Sequence, residues 1–281
     1  MIRLGENRYG KSRIRVIGVK RKGEWHELHE WTVEVLLNGD FASCFADGDN
    51  SKILPTDTMK NTVYSLARNS SAVCIEDFAM ELTAFFLKRN PQVWSAEINI
   101  SQCLWDRVVS GGDAHPTAFV QSSRELRTAS ITEKRDGKIE VVSGLDNLVI
   151  MKTANSAFAG YVKDSLTTLP ETRDRLFGSA VSANWTYTSA NLSFSALRNV
   201  VRSLLLATFA GHHSESVQHT LYAMAQSVLD KVPEVKDIQL TMPNKHCLLV
   251  DLSRFGQDNP NEIFVPIDEP HGYIEARVSR E

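Results

Sequence analysis

Lys11, in the polar run Tyr9-Gly10-Lys11, is a candidate base. An amine whose pKa is lowered by burial or by a nearby cation can take a proton near neutral pH, although a solvated surface lysine is the plainer reading. Thr56-Asp57-Thr58-Met59-Lys60-Asn61-Thr62 puts hydroxyls at the expected start of a helix. They suit simple capping there, and the free N–H groups and dipole of a helix start also suit an anion. Thr167-Thr168-Leu169-Pro170-Glu171-Thr172-Arg173-Asp174-Arg175 reads as a polar loop, with a capping box from Thr168 to Glu171 leading into a short helix. Arg175 can pair with Asp174 or Glu171, or offer its guanidinium fork to a planar ligand with adjacent acceptors. Pro243-Asn244-Lys245-His246 reads as a hairpin turn joining the last two strands, with His246 a proton relay or a solvated turn residue.

Other chemistries find little support. His212-His213 lacks Cys or Asp at metal spacing, and His26 and His29 fall on opposite faces of a regular strand. GxGxxG, P-loop, HExxH and GxSxG patterns are absent, so neither a metal nor an organic cofactor is expected. Cys44, Cys74, Cys103 and Cys247 form no CxxC pair and read as reduced, mostly buried thiols. With 31 Lys and Arg against 34 Asp and Glu, the formal charge is -3, without the basic excess of a nucleic-acid binder. The basic stretch Arg8 to Lys22 reads as an edge strand with outward charges. No apolar run approaches the ~18 residues of a membrane span. Neither a signal-peptide core at Met1 to Gly10 nor a Ser-Lys-Leu ending is present, and a cytoplasmic location is expected.

These residues must be positioned by elements. A chain of 281 residues, 42% hydrophobic, can build one large domain or two of middling size. Strands are expected over Arg13 to Lys20 and Glu27 to Leu37, the second from the alternation of Trp31, Val33, Val35 and Leu37. Helices follow from Met59 to Arg68, after the Thr56 cap, and from Ile75 to Lys88. Then come strands at Val93 to Trp105, Ala118 to Thr132 and Ile139 to Lys152, with a turn at Asp136-Gly137. The second half shows a strand marked by Trp185, Tyr187 and Leu192. Helices follow from Ser195 to Phe209 (stripe Leu197, Val200, Val201, Leu204, Leu205) and Ser216 to Lys231, with strands at Asp237 to Met242 and Lys245 to Leu252. Each half reads strand pair, helix pair, strand pair. This implies tandem α+β domains, residues 1–140 and 141–281, with antiparallel sheets and helices on one face. The uncovered sheet faces imply an oligomer.

Separated segments together carry a resemblance: Arg8-Tyr9-Gly10-Lys11, Thr56 to Tyr64, Lys152 to Phe158, Thr167 to Thr172 with Asp174-Arg175, Ser216-Val217-Gln218, Met242 to His246 and Asp258 to Phe264. In this order they resemble the urate oxidase (uricase) family along nearly the whole chain. Leu166 stands where the family usually has an aromatic residue, and Pro55 where some members have Ala. The resemblance implies two tandem tunnelling-fold (T-fold) domains, a homotetramer around a tunnel, and active sites between subunits. It implies oxidation of urate by O2 and water to 5-hydroxyisourate and hydrogen peroxide without a cofactor. By matched position, Arg175 resembles the clamp on urate, Gln218 and the Val217 backbone the readers of its other polar edge, and Phe158 the ring beneath it. Thr56 and Asp57 resemble residues reaching in from a neighbouring subunit. Lys11, Thr56 and His246 resemble a proton relay, and Asn244 a holder of O2 or water. The rivals are a pterin-handling relative, which usually reads its ring with Glu where Gln218 stands, and a purine-binding member without oxidase activity.

Overall fold

The computed structural model describes residues 2–281. The chain divides into two units. The first comprises residues up to Leu145 together with Thr186–Ala196; the second comprises Asp146–Trp185 and Leu197–Glu281.

In the first unit, β1 (Tyr9–Lys22), β2 (Trp25–Gly39), β3 (Val93–Ser110) and β4 (Asp113–Lys134) pair antiparallel in sequence order. The alternation expected for β2 holds, with Val33, Val35 and Leu37 fully buried. Register extends it across the sheet: Ile14, Val33, Ile100 and Ala129 form one buried row, and Val35, Ile98 and Ile131 the next. Between β2 and β3 lie α1 (Ala42–Asp47), α2 (Thr56–Asn69) and α3 (Ile75–Arg89). α3 packs on β3 and β4 through Phe78, Leu82 and Phe86, and α2 packs on β1 through Met59 and Val63. The turn after β4 forms as expected, with Gly137 at φ 87 and its N–H bonded to Lys134 O at 2.9 Å.

Several expectations require correction here. The segment Ala42–Asp47 is helical, although no polar-apolar period marks so short a piece. β3 and β4 run on past Trp105 and back before Ala118, turning at Gly111-Gly112 (φ 66 and 95). Polar residues and Pro116 hid this extension. Thr56 does not cap α2: it is the first helical residue, Pro55 holds the cap position, and no side chain bonds there.

In the second unit, the C-terminal part of β5 (Ile139–Lys152) precedes most of β6 (Phe177–Tyr187), most of α4 (Phe194–Gly211) and α5 (Val217–Lys231). β7 (Val235–Thr241), β8 (Asn244–Leu249), β9 (Phe264–Gly272) and β10 (Glu275–Ser279) complete it. β7 pairs with β10, while β8 pairs with β6 and β9. α5 buries one stripe, Val217, Leu221, Ala225, Val228 and Leu229. The α4 stripe is rotated: Val201, Leu205 and Phe209 are buried, but Val200 is exposed. Leu192 lies beyond the end of β6. No hairpin joins β7 to β8. Asn244, Lys245 and His246 are themselves strand residues, and β9 and β10 supply the pairing that a simple hairpin would have. Pro266 and Pro270 mask β9 in sequence. An edge strand tolerates proline because its outer N–H groups have no partner to lose.

All four cysteines are free, but only Cys74 is buried, which corrects the expectation of mostly buried thiols. Burial pushes the Cys74 thiol up to about 12, so it is inert.

Candidate active site

Lys11 is held by backbone geometry. β1 pairs regularly with β2 through Tyr9, Gly10 and Lys11, then bulges, resuming at Ile14 opposite Val33. Arg13 lies in the bulge at φ 57. Such bulges re-aim a side chain and end regular pairing. Gly10 has to be glycine, because a Cβ there would sit 1.8 Å from Val35 O and 2.8 Å from Val35 C. Gly10→Ala is therefore expected to force β1 off β2 and lower stability by about 1–3 kcal/mol, read as a reduced melting temperature. An unchanged melting temperature would mean the strand pair yields without cost.

The preceding residue ties Lys11 to α2. The Tyr9 hydroxyl accepts from Leu54 N–H at 2.8 Å and donates to Leu54 O at 3.2 Å. Its ring packs edge-on against Phe41, 4.7 Å between centroids. Thus β1 and the Leu54-Pro55 approach to α2 are fixed to each other. Asp57, in the first turn of α2, gives its carboxylate to Lys60 at 2.5 Å and Asn61 at 3.0 Å. Those bonds, Lys60 first, hold its carboxyl below the usual range, and the charge of Lys11 adds to the effect. With its carboxylate so occupied, Asp57 has its backbone N–H to offer at the helix start.

In the second unit, short backbone bridges assemble a pocket from distant segments. Phe158 and Thr172 exchange N–H···O bonds at 2.8 and 3.0 Å. Ser214 accepts from Ala157 N–H at 2.6 Å and donates to Asn155 O at 3.0 Å. The run after Lys152 is therefore joined to the run before β6 on one side and to the approach to α5 on the other. β8 lies beside the start of β6, with Lys245 opposite Gly178 and Asn244 opposite Ser179. Asn244 and His246 both lie in β8, where the pairing with β9 shifts register between them.

Phe158, Arg175, Asn244 and His246 line one cavity of about 350 Å³, together with Thr153 and Phe264. That volume falls within the range of small-molecule sites. The Arg175 guanidinium lies 5.3 Å from the centroid of the Phe158 ring, which stacks on Tyr161 at 4.8 Å. Burial lowers the pKa of Arg175, and its Nε is buried without any hydrogen-bond partner. It pairs with neither Asp174 nor Glu171; Glu171 instead pairs with Lys163 at 2.8 Å and accepts from Gly160 N–H. The short helix expected after Thr168 does not form, since Pro170 and the Phe158–Thr172 bridge keep that run extended. A half-buried, unpartnered guanidinium beside an aromatic ring suits a planar anion with adjacent acceptors.

Val217 and Gln218 open α5 behind a Ser216 cap, Val217 buried and Gln218 exposed. Neither lines the cavity itself, and Lys11, Thr56 and Asp57 belong to the first unit. Sequence reasoning singled out no role for Thr153, Asn261 or Phe264, which line the cavity. The signal for the last two is Asn259, whose side chain accepts from Glu262 and Ile263 N–H and donates to Val250 O and Ile263 O. Asn-Pro-Asn marks such a turn. Among the described residues, no group of three or more His, Cys, Asp or Glu side chains is placed to hold a metal ion.

Comparison with known proteins agrees along the chain. The uricase family matches residues 7–132 and 141–275. The uricase of Arthrobacter globiformis is 40% identical over 99% of this chain and 90% of its own length. That of Dictyostelium discoideum is 38% identical over 100% of this chain and 98% of its own. The crystal structure of the Arthrobacter globiformis uricase superposes with a TM-score of 0.95 at 39% identity, covering 100% of this chain and 96% of that one. The α+β, antiparallel T-fold expected from sequence is thus the fold observed. The chain belongs to the uricase family of urate oxidases.

Proposed function

We propose that the cavity binds urate and that the protein oxidises it with O2 and water to 5-hydroxyisourate and hydrogen peroxide. The observation that carries this reading is Arg175, half-buried beside Phe158 with no protein partner for its Nε. Its fork meets a urate oxygen and the adjacent ring nitrogen, Phe158 lies against the purine, and Gln218 with the Val217 N–H reads the opposite edge. Thr56 and the Asp57 N–H reach the ring from a neighbouring protomer of a homotetramer. Lys11 and Thr56 pass protons and His246 extends the relay, while Asn244 holds O2 or water above the ring.

The chemistry balances without a cofactor. Urate, made electron-rich by deprotonation, gives two electrons to O2, which takes two protons and leaves as hydrogen peroxide. Water adds at C5 of the oxidised ring and loses a proton to the relay. The protein supplies anion binding, proton removal and positioning. The test is chelator-treated protein with urate in air, following urate absorbance and peroxide together. Matched loss and gain is the expected result. A xanthine that binds without turnover of urate would instead favour a non-oxidative purine binder, and no binding would return the pocket to a pterin.

A further inference from the structure

The loop between α4 and α5 carries an imidazole pair that the chemistry above does not use. His212 and His219 meet edge to face, ring centroids 4.3 Å apart and planes at 69°. His219 is in the first turn of α5. Its backbone N–H donates to Ser216 Oγ at 3.1 Å, and its Nδ1 accepts from Glu215 N–H through a long bond of 3.4 Å. This resembles a capping box, except that the imidazole accepts from Glu215, one residue ahead of the Ser216 cap, rather than from the cap itself. Val217 and Gln218 lie inside the cap, and Ser214, in the same loop, is bonded to the Asn155–Ala157 run that leads to Phe158. On its other side, His212 donates its N–H to Thr208 O and accepts at its carbonyl from Lys152 Nζ, while its Nε2 is buried without a partner.

We infer that the His212–His219 pair is a positioning clasp for the pocket. Neutral, it holds the start of α5 and the Phe158 run in binding geometry; protonated, it releases them and weakens substrate binding without changing the chemical step. The inference rests on the urate reading of the pocket. A cationic His219 could not accept at Nδ1 and would place positive charge at the positive end of the helix dipole. The titratable and charged groups facing the pair are Lys152 from β5, and His213 and Glu215 from the loop, these two 3.3 Å apart. Burial first, then His219, Lys152 and His213, lower the His212 pKa from its ordinary 6.5. The unfolded chain therefore takes up this proton before the folded one. The stabilising contribution is whole above pH 6.5 and declines as pH falls below it.

Steady-state kinetics of the full chain at about pH 8 and about pH 6 provide the test. The wild-type KM for urate is expected to rise about threefold at the lower pH, more than any change in kcat. His219→Asn keeps an acceptor near the Nδ1 position but cannot titrate. It should retain the KM of pH 8 and lose most of the rise at pH 6. His219→Leu, with no acceptor, should raise KM about tenfold at both. A His219→Asn enzyme with the wild-type pH dependence of KM, or a His219→Leu enzyme with the wild-type KM, would overturn the clasp. Amide hydrogen exchange of residues 212–219 in the unliganded protein gives a readout without substrate. Protection that drops at the lower pH, after correction for intrinsic rates, supports the clasp even if urate is not turned over, in which case only the urate reading falls. Protection that stays constant overturns the clasp.

Discussion

Replacing Arg175 with Lys is expected to weaken binding of a xanthine-type inhibitor about 100-fold, which is about 2.7 kcal/mol. A hydrogen bond to a charged group contributes roughly 1.5–3 kcal/mol, and lysine cannot reproduce the fork. The surroundings sharpen the difference. Burial already works against charge at this position, and no carboxylate pairs with the guanidinium among the described residues. An ammonium there would be compact, hard to desolvate and liable to lose its proton, whereas guanidinium stays charged and lies well against the Phe158 ring. Calorimetric titration of wild type and variant, with melting curves as a folding control, would read the change. Equal affinities would place the clamp on another residue.

Lys11→Met should lower turnover by about 10²–10⁴-fold while changing inhibitor affinity little. Methionine keeps most of the length and apolar stem but carries no proton. The structural setting makes the substitution a clean one. Lys11 lies at the edge of a bulge, its ammonium has no ion-pair partner among the described residues, and its neighbours Tyr9 and Gly10 fix the backbone. Stability should therefore be nearly untouched. Single-turnover measurements would separate chemistry from binding. Turnover equal to wild type would remove Lys11 from the relay and leave its bulge as a purely structural feature.

The sequence made legible those elements in which burial and period agree. β2 and α5 each bury one clean stripe, so their patterns match what the structure packs. α4 misled because Val200 and Leu204 extend its apolar face beyond the part that is fully buried. β9 and β10 were hidden by proline, glycine and charge, all of which an edge position tolerates. For the site, residue types were readable and convergence was not. Nothing local in the segments around Ser156 and Ser214, or Phe158 and Thr172, announces that they bridge, because those partners are chosen by the surrounding fold. Asn244 and His246 were visible as polar residues between apolar runs. Their place in a strand beside β6 depends on a pairing that an isolated stretch of sequence does not specify.

The unpartnered guanidinium also bears on how the folded state responds to its surroundings. A half-buried charge without a counter-charge is a burden on the empty protein, and a bound anion relieves it. A ligand that binds only the native chain shifts the folding equilibrium by mass action, about 2.7 kcal/mol when its free concentration is 100 times its Kd. Under the urate reading, substrate supply and the folded population are then linked quantities. The protein is most resistant to unfolding while substrate is plentiful and least resistant once it has cleared it.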